Sequence, residues 1–468
     1  MPNTANAKYL HGSTMRHVID TTLAGSLGLM AIFLIDLVDM YFISLLGEPQ
    51  LAAAVGFAST IIFFTTSIGI GMGICLGALV SMALGKGEEK NAKQLGIDTF
   101  VSALILSIIV VLLVWTWIPE LLTLLGAQGD SHGYSVDYLS IIIPSMPFIV
   151  MAMACSSGLR ALGDAKRAMT ITLLAGLTNA ILDPILIFGL EMGIKGAAWA
   201  SVIARVVAFS VGAYLLVKVH DFYVPLSWSR YKKNVGRIIK FAVPAILTNV
   251  ATPIGNAYVI SAIAAYGSGA VAGMAIVGRL TPVAFAMVFA LSGAIGPIVG
   301  QNYGAQNFQR VREAIKDSMI FIIVTVFLMS VILFFAQGFV VWAFKAGPEA
   351  AELVQFFCTF IAIFFIANGM GFLANAAFNN LNFPKYSAWF NFGKTTLGTI
   401  PFVYVGAKLM GPKGVLLGQA IGGIIFSALA VIVLYRVLKR SEKGDANGEE
   451  KPAFTRRTPS WPHSNNRL

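Results

Sequence analysis

The chain has 468 residues, of which 57% are hydrophobic and only 12% charged, with a mean hydropathy of +0.77. Soluble globular domains carry about a quarter charged residues, so this composition excludes a water-soluble enzyme or binding module and describes a chain whose solvent is mostly lipid. The net charge of +11 reads as membrane topology and attraction to anionic lipid, not as nucleic-acid binding.

Residues 1–16 form a polar segment without the short apolar core and small-residue cleavage site of a removable signal peptide. Apolar runs of about 20 residues, each long enough to cross a ~30 Å hydrocarbon core as helix, then recur. They occupy 17–46, 51–84, 97–118, 136–158, 168–190 and 196–218. A polar, basic stretch follows, HDFYVPLSWSRYKKNVGRIIK (220–240), whose latter part suits an interfacial amphipathic helix. Six more runs cover 238–266, 271–303, 315–337, 353–380, 388–409 and 414–438. Alternating ten-residue strands of the outer-membrane-barrel kind are absent. The expected fold is therefore an all-α polytopic membrane protein with twelve transmembrane helices.

Orientation follows the distribution of basic residues. With the N-terminus inside, inner segments hold 26 of the 33 Lys and Arg and outer loops four (Lys195, Lys345, Lys408, Lys413), while Arg205, Arg279 and Lys394 lie within spans. Both termini are thus expected in the cytoplasm, with the protein multi-pass in the plasma (inner) membrane.

Sliding the chain by 219 residues exposes an internal repeat. LVSMALGKGEEKNAKQ (79–94) falls over IVGQNYGAQNFQRVRE (298–313), LGDAK (162–166) over LNFPK (381–385), and, with a one-residue indel, MGIKGAAWAS (192–201) over MGPKGVLLGQ (410–419). Two pseudo-symmetric six-helix lobes result, parallel repeats about an axis along the membrane normal. The expected organisation is a cytoplasmic segment 1–16, an N-lobe 17–218, a cytoplasmic linker 219–237, a C-lobe 238–438 and a basic, disordered tail 439–468. Pro244 and Pro253 in the seventh run each remove a backbone donor and invite a kink.

Acids inside the runs carry the chemistry, because a carboxylate in a hydrocarbon-spanning segment costs several kcal/mol and its default reading is functional. Asp36 and Asp39 are spaced i,i+3 in FLIDLVDMYFISLLG. Two close carboxylates in a poorly hydrated site do not easily ionise together, so at least one suits proton exchange, or Na⁺ when ionised. The plainer alternative is an Asp facing an aqueous mouth near a span end. Asn179 and Asp183 in TNAILDPILIFGL are spaced i,i+4, and Pro184 disrupts the preceding turn, freeing the carbonyl of Ala180. Together these oxygens suit a hard cation or a proton; an Asp–Pro turn ending the span is the alternative. The second half has Asn256 and Asn375 but no acid in its seventh or tenth span. Phosphate-binding Gly-rich loops, HExxH and plausible triads are missing, so no enzyme and no cofactor is expected. Cys75, Cys155 and Cys358 lack metal-ligand spacing and read as packing residues.

VDMYFISLLG followed by LAAAVGF, LRALGDAK, NAILDPILIFGLEMGIKGAAWASV and IVGQNYGAQNFQRVREA resembles the multidrug and toxic compound extrusion (MATE) family, in order over residues 15–440. That resemblance implies a V-shaped antiporter exporting organic cations or related compounds against H⁺ or Na⁺. It assigns Asp39 to the family's first-helix acid, Asn179 and Asp183 to the amide and acid of the fifth helix, with Na⁺ or H⁺ bound among them. Ser201 falls where prokaryotic members often place a Thr, Tyr138 matches an aromatic hydroxyl near that network, and Arg279 resembles an arginine early in the eighth helix. Arg205 stands where an uncharged polar residue is expected, either pairing with Asp183 or snorkelling at a lobe exterior. Asn256, Arg279 and Pro253 are cavity or gating candidates.

The function these readings support is cation-coupled export of small amphipathic, cationic drugs or toxic compounds by alternating access of two lobes. The partners expected are a small organic substrate and membrane lipid, with the protein monomeric. A flippase for lipid or lipid-linked saccharide is the alternative, disfavoured because so few basic groups lie within spans to hold a pyrophosphate.

Overall fold

The computed structural model describes residues 7–45 and 49–442, apart from the side chains of residues 36–41, 43–45, 49, 52 and 53. The first half is built of α1 (Thr14–Leu45), α2 (Pro49–Gly85), α3 (Glu89–Thr116), a short α4 (Ile118–Leu124), α5 (Gly129–Ile142), α6 (Met146–Ala161), α7 (Ala165–Pro184) and α8 (Gly193–Tyr214). The second half comprises α9 (Trp228–Ala264), α10 (Ser268–Ala284), α11 (Ala286–Gly304), α12 (Phe308–Ala343), α13 (Pro348–Phe356), α14 (Phe365–Asn380), α15 (Pro384–Thr395) and α16 (Ile400–Glu442).

Several predicted spans are broken helices. The fourth is α5 and α6, joined by a 3₁₀ turn at Ile143–Ser145 where Pro144 and Pro147 withhold backbone donors. The eighth is α10 and α11, bent by 50° about Phe285. The tenth runs from α13 to α14 through a π turn at Phe357–Ile361 and a 3₁₀ turn at Ala362–Phe364. α16 reverses at Gly411, whose φ of 60° and ψ of −137° suit glycine and few other residues. Its two arms are antiparallel, with Gly406 against Gly414 and Gly418 against Phe402 at distances that leave no space for a Cβ. Among the described residues, ten helices are long and apolar enough to cross a membrane. Counting the bent pair as one span and the reversal at Gly411 as a second crossing, the described residues make the expected twelve.

Each half encloses its own apolar core. Leu76, Leu79, Leu95 and Phe241 are buried with the first half, and Ile295, Ile322, Phe378 and Leu434 in the second. The outward faces are apolar too: Leu112 and Leu113 of α3 and Phe335 and Trp342 of α12 are exposed. Surfaces this uniformly apolar suit lipid, which is as apolar as the side chains it meets.

The halves meet through repeat-related residues. Gly85 of α2 leaves no room for a Cβ against the Gln301 carbonyl, and Gly304 of α11 leaves none against the Met82 carbonyl. Positions 82 and 301, and 85 and 304, are each 219 apart, so this contact is the reciprocal one that a pseudo-twofold axis demands. A side chain at either position would push α2 and α11 apart.

The N-terminal segment plugs the same face. Tyr9 is buried; its backbone N–H donates to Gln301 Oε1 (2.9 Å), and its carbonyl accepts from Asn302 (3.1 Å) and Arg310 (3.1 Å). Gln301 also donates to the Ala161 carbonyl of the first half (2.8 Å), and Lys8 to Gly163 (3.1 Å). Thr14 donates to Asp317 of α12. Nearby, burial raises the Asp164 carboxyl, but the bonds from Arg167 and the adjacent His220 ring outweigh it and hold that acid below the usual carboxylate range. Towards the opposite face the contacts named stay within one half: Phe42 against Phe188, Gly255 against Thr395.

The polar stretch between the halves differs from its expected form. Its latter part is no separate interfacial helix but the first turns of α9, continuous with the seventh span. Asp98 of α3, fully buried, explains this by accepting from Arg230 at both oxygens (3.0 and 3.3 Å) and from Asn234 (2.7 Å). That pairing holds α9 against the first half.

Candidate functional site

The polar cluster expected in the fifth span exists. Asp183, 1% exposed, lies near the end of α7, and the Asn179 amide one turn earlier donates to its Oδ2 at 2.7 Å. Ser201 on α8 donates to Asn179 Oδ1 at 3.3 Å, so amide, acid and hydroxyl form one chain across α7 and α8. Pro184 closes α7, and the chain passes into a π turn at Ile185–Gly189, against whose backbone Gly196 of α8 packs. π turns are uncommon and often accompany functional positions.

The neighbouring helix is α1. Gly176 of α7 meets Ile35, and Phe42 packs edge-on to Phe188 with ring centroids 6.1 Å apart. Positions 35 and 42 are two helical turns apart, so they mark one face of α1, and position 39 belongs to that face by spacing. The side chains of Asp36 and Asp39 themselves lie outside the described residues. Tyr138 is buried on α5 in the apolar cluster that includes Ile187 and Ala198.

Arg205 takes neither of its expected positions. Its guanidinium donates to the Ile142 carbonyl (3.1 Å), Ser145 Oγ (2.9 Å) and the Met146 sulfur (3.3 Å). It thereby satisfies groups freed where the fourth span breaks. A proline-interrupted helix exposes carbonyls that need such donors, and the break was not expected from the sequence.

The remaining candidates scatter. Pro253 is half-buried within α9, and Asn256 is exposed one turn on. Arg279 is exposed and lines a groove with Lys345, away from the acid cluster. Asn375 faces a small cavity in the second half, lined also by Lys394 and Ser427. Sequence reasoning passed over two interior groups. Asp98 lies at the start of an apolar run, and only its partner 132 residues away reveals its role. Arg160 of α6 donates to Ser156 (2.8 Å) and Ser157 (3.0 Å) beside Gly293 of α11.

Comparison with known proteins agrees with this architecture. The MatE family model matches residues 26–185 and again residues 244–405. An FAD transporter of Shewanella oneidensis is 30% identical over 429 residues, covering 90% of this chain and 94% of that protein. The multidrug export protein MepA of Staphylococcus haemolyticus is 24% identical over 433 residues, covering 92% and 95%. A crystal structure of a mutant of the Vibrio cholerae MATE transporter VcmN superposes with a TM-score of 0.87 at 24% identity, covering 91% of this chain and 97% of that one. With both halves matched and the twelve-crossing fold shared, the chain belongs to the MatE family of multidrug and toxic compound extrusion transporters.

Proposed function

We propose that the protein is a cation-coupled antiporter that exports small amphipathic compounds, with the coupling ion held by Asp39, Asp183 and Asn179. The observation that carries this reading is the buried Asn179–Asp183 pair, set on the helix that α1 faces with position 39. Carboxylate, amide and hydroxyl oxygens suit H⁺ or Na⁺ equally. Ion occupancy biases the halves between inward- and outward-open arrangements, and substrate affinity follows that equilibrium. The closed contacts around Tyr9 and Gly85 then seal the cytoplasmic face, with both termini on that side of the inner membrane.

Relatives carry names as different as FAD transporter and multidrug export protein, so family membership leaves the substrate class open. Cationic compounds are the class expected from the family resemblance. Among the described interior side chains, support for a cation comes chiefly from Asp183.

Dye efflux from energised vesicles tests the proposal. Asp39→Asn and Asp183→Asn should each reduce gradient-driven efflux at least about tenfold, the loss expected when a differential interaction of ~1.4 kcal/mol or more disappears. Undiminished transport in both variants rejects the site. Flipping of a labelled lipid-linked precursor without dye transport favours the flippase.

A further inference from the structure

A second charged site lies in the other half, and it has the opposite sign. Sliding the chain by 219 residues sets α15 over α7 and places Lys394 over Ala175, one turn before Asn179. Where the first half buries an acid, the second buries a base. The Lys394 ammonium donates to Asn368 Oδ1 at 2.5 Å and lies 5.7 Å from the Phe372 ring centroid. It forms no ion pair among the described residues. An ammonium has three donors, so one amide oxygen and a ring face leave it under-satisfied in a place where an unpaired charge is expensive.

The groups around it are also unsatisfied. Lys394, Asn375 and Ser427 line one cavity with Phe372 and Phe426. Ser427 is 2% exposed and its hydroxyl has no hydrogen-bond partner, nor has the side-chain oxygen of Asn375. A serine hydroxyl and an amide, which can turn its N–H₂ inward, both donate to oxyanions. Two other interior cations also meet neutral groups: Arg160 donates to two serines, and Arg205 to a carbonyl, a hydroxyl and a sulfur.

We propose that the Lys394 cavity of the second half binds the anionic head group, a carboxylate or phosphate, of an aromatic substrate. Lys394 supplies the charge, Ser427 and Asn375 the flanking donors, and Phe372 and Phe426 the faces on which an aromatic body stacks. As described, the cavity has room for about one water, roughly 10 Å³, so the head group enters as Phe372 or Phe426 swings aside. This inference rests on the transporter reading and gives its substrates their sign: a coupling cation in one half, an acidic substrate in the other.

Riboflavin and riboflavin 5′-phosphate share one ring system and differ by a phosphate, which makes them suitable probes. Their binding to the full-length protein in neutral phosphatidylcholine nanodiscs is read by flavin fluorescence, with no gradient needed, so the outcome is independent of the efflux measurements. The phosphorylated flavin should bind about tenfold tighter or more, the scale of hydrogen bonds to a charged group. Lys394→Gln should abolish that preference, and Lys394→Arg should keep part of it. Equal affinity of the two flavins for the unsubstituted protein overturns the proposal, as does a preference that survives Lys394→Gln. Loss of the phosphate preference on adding phosphatidylglycerol assigns the cavity to a lipid head group and likewise overturns it.

Discussion

Among the described residues, Arg160, Arg205 and Lys394 donate to neutral groups, whereas the buried Asp98 meets a charge and acts as a structural residue. Asp98 has a bidentate partner in Arg230 and a further bond from Asn234, all out of contact with water at the carboxylate. Removing one partner of such a pair strands the other and costs roughly 3–5 kcal/mol. Asp98→Asn should therefore lower the thermal unfolding midpoint of the detergent-solubilised protein by several degrees. Its surviving folded fraction should show unchanged ion dependence of transport, and an unaltered midpoint would contradict the structural role. Asp183 is different in kind. It accepts from the Asn179 amide one turn away on its own helix, while Arg205 donates to the broken fourth span.

At the scale of helices, breaks and close approaches matter more than lengths. α2 and α11 touch through Gly85 and Gly304, where a Cβ at Gly85 would lie 2.0 Å from the Gln301 oxygen. Gly85→Val should prevent closure of this face and reduce efflux at least about tenfold, the scale at which a two-state balance of closed and open forms is overturned. Substrate binding in detergent should persist, since neither proposed binding cluster is touched. Full transport by Gly85→Val would show that the α2–α11 contact is not a gate. The helices themselves were largely readable, because each apolar run is long enough to be nothing else. Their interruptions were not. Pro144 and Pro147 break the fourth span and Pro184 admits a π turn, yet Pro253 and Pro297 sit inside continuous helices. Whether a proline bends or breaks a helix depends on what satisfies the freed carbonyl, as Arg205 does, and that partner is distant in sequence. The fold-back at Gly411 had a legible cause, a Gly-Pro pair between two runs. Of the site, Asn179 and Asp183 were legible because polar groups in an apolar run stand out. Lys394 stood out equally, but its meaning depended on two unsatisfied neighbours brought in from α14 and α16.

Taken whole, the molecule is two copies of one design with unlike interiors. The repeat supplies reciprocal contacts at the sealed face, while divergence has left a carboxylate in one half and an ammonium about two helical turns earlier on the equivalent helix of the other. Under the proposed function, symmetry would give two arrangements of similar energy, with an ion and a substrate each favouring one of them. In the proposed mechanism the acid cluster couples ion binding to the substrate site through this balance. The most direct test is the affinity of the purified protein in nanodiscs for a fluorescent substrate, measured against pH and Na⁺ separately, with and without Asp183→Asn. One of the two ions should shift substrate affinity by about fivefold or more, as reciprocal coupling requires, and the substitution should flatten that dependence. An ion dependence of equal size in Asp183→Asn, or none at all in the unsubstituted protein, would contradict it.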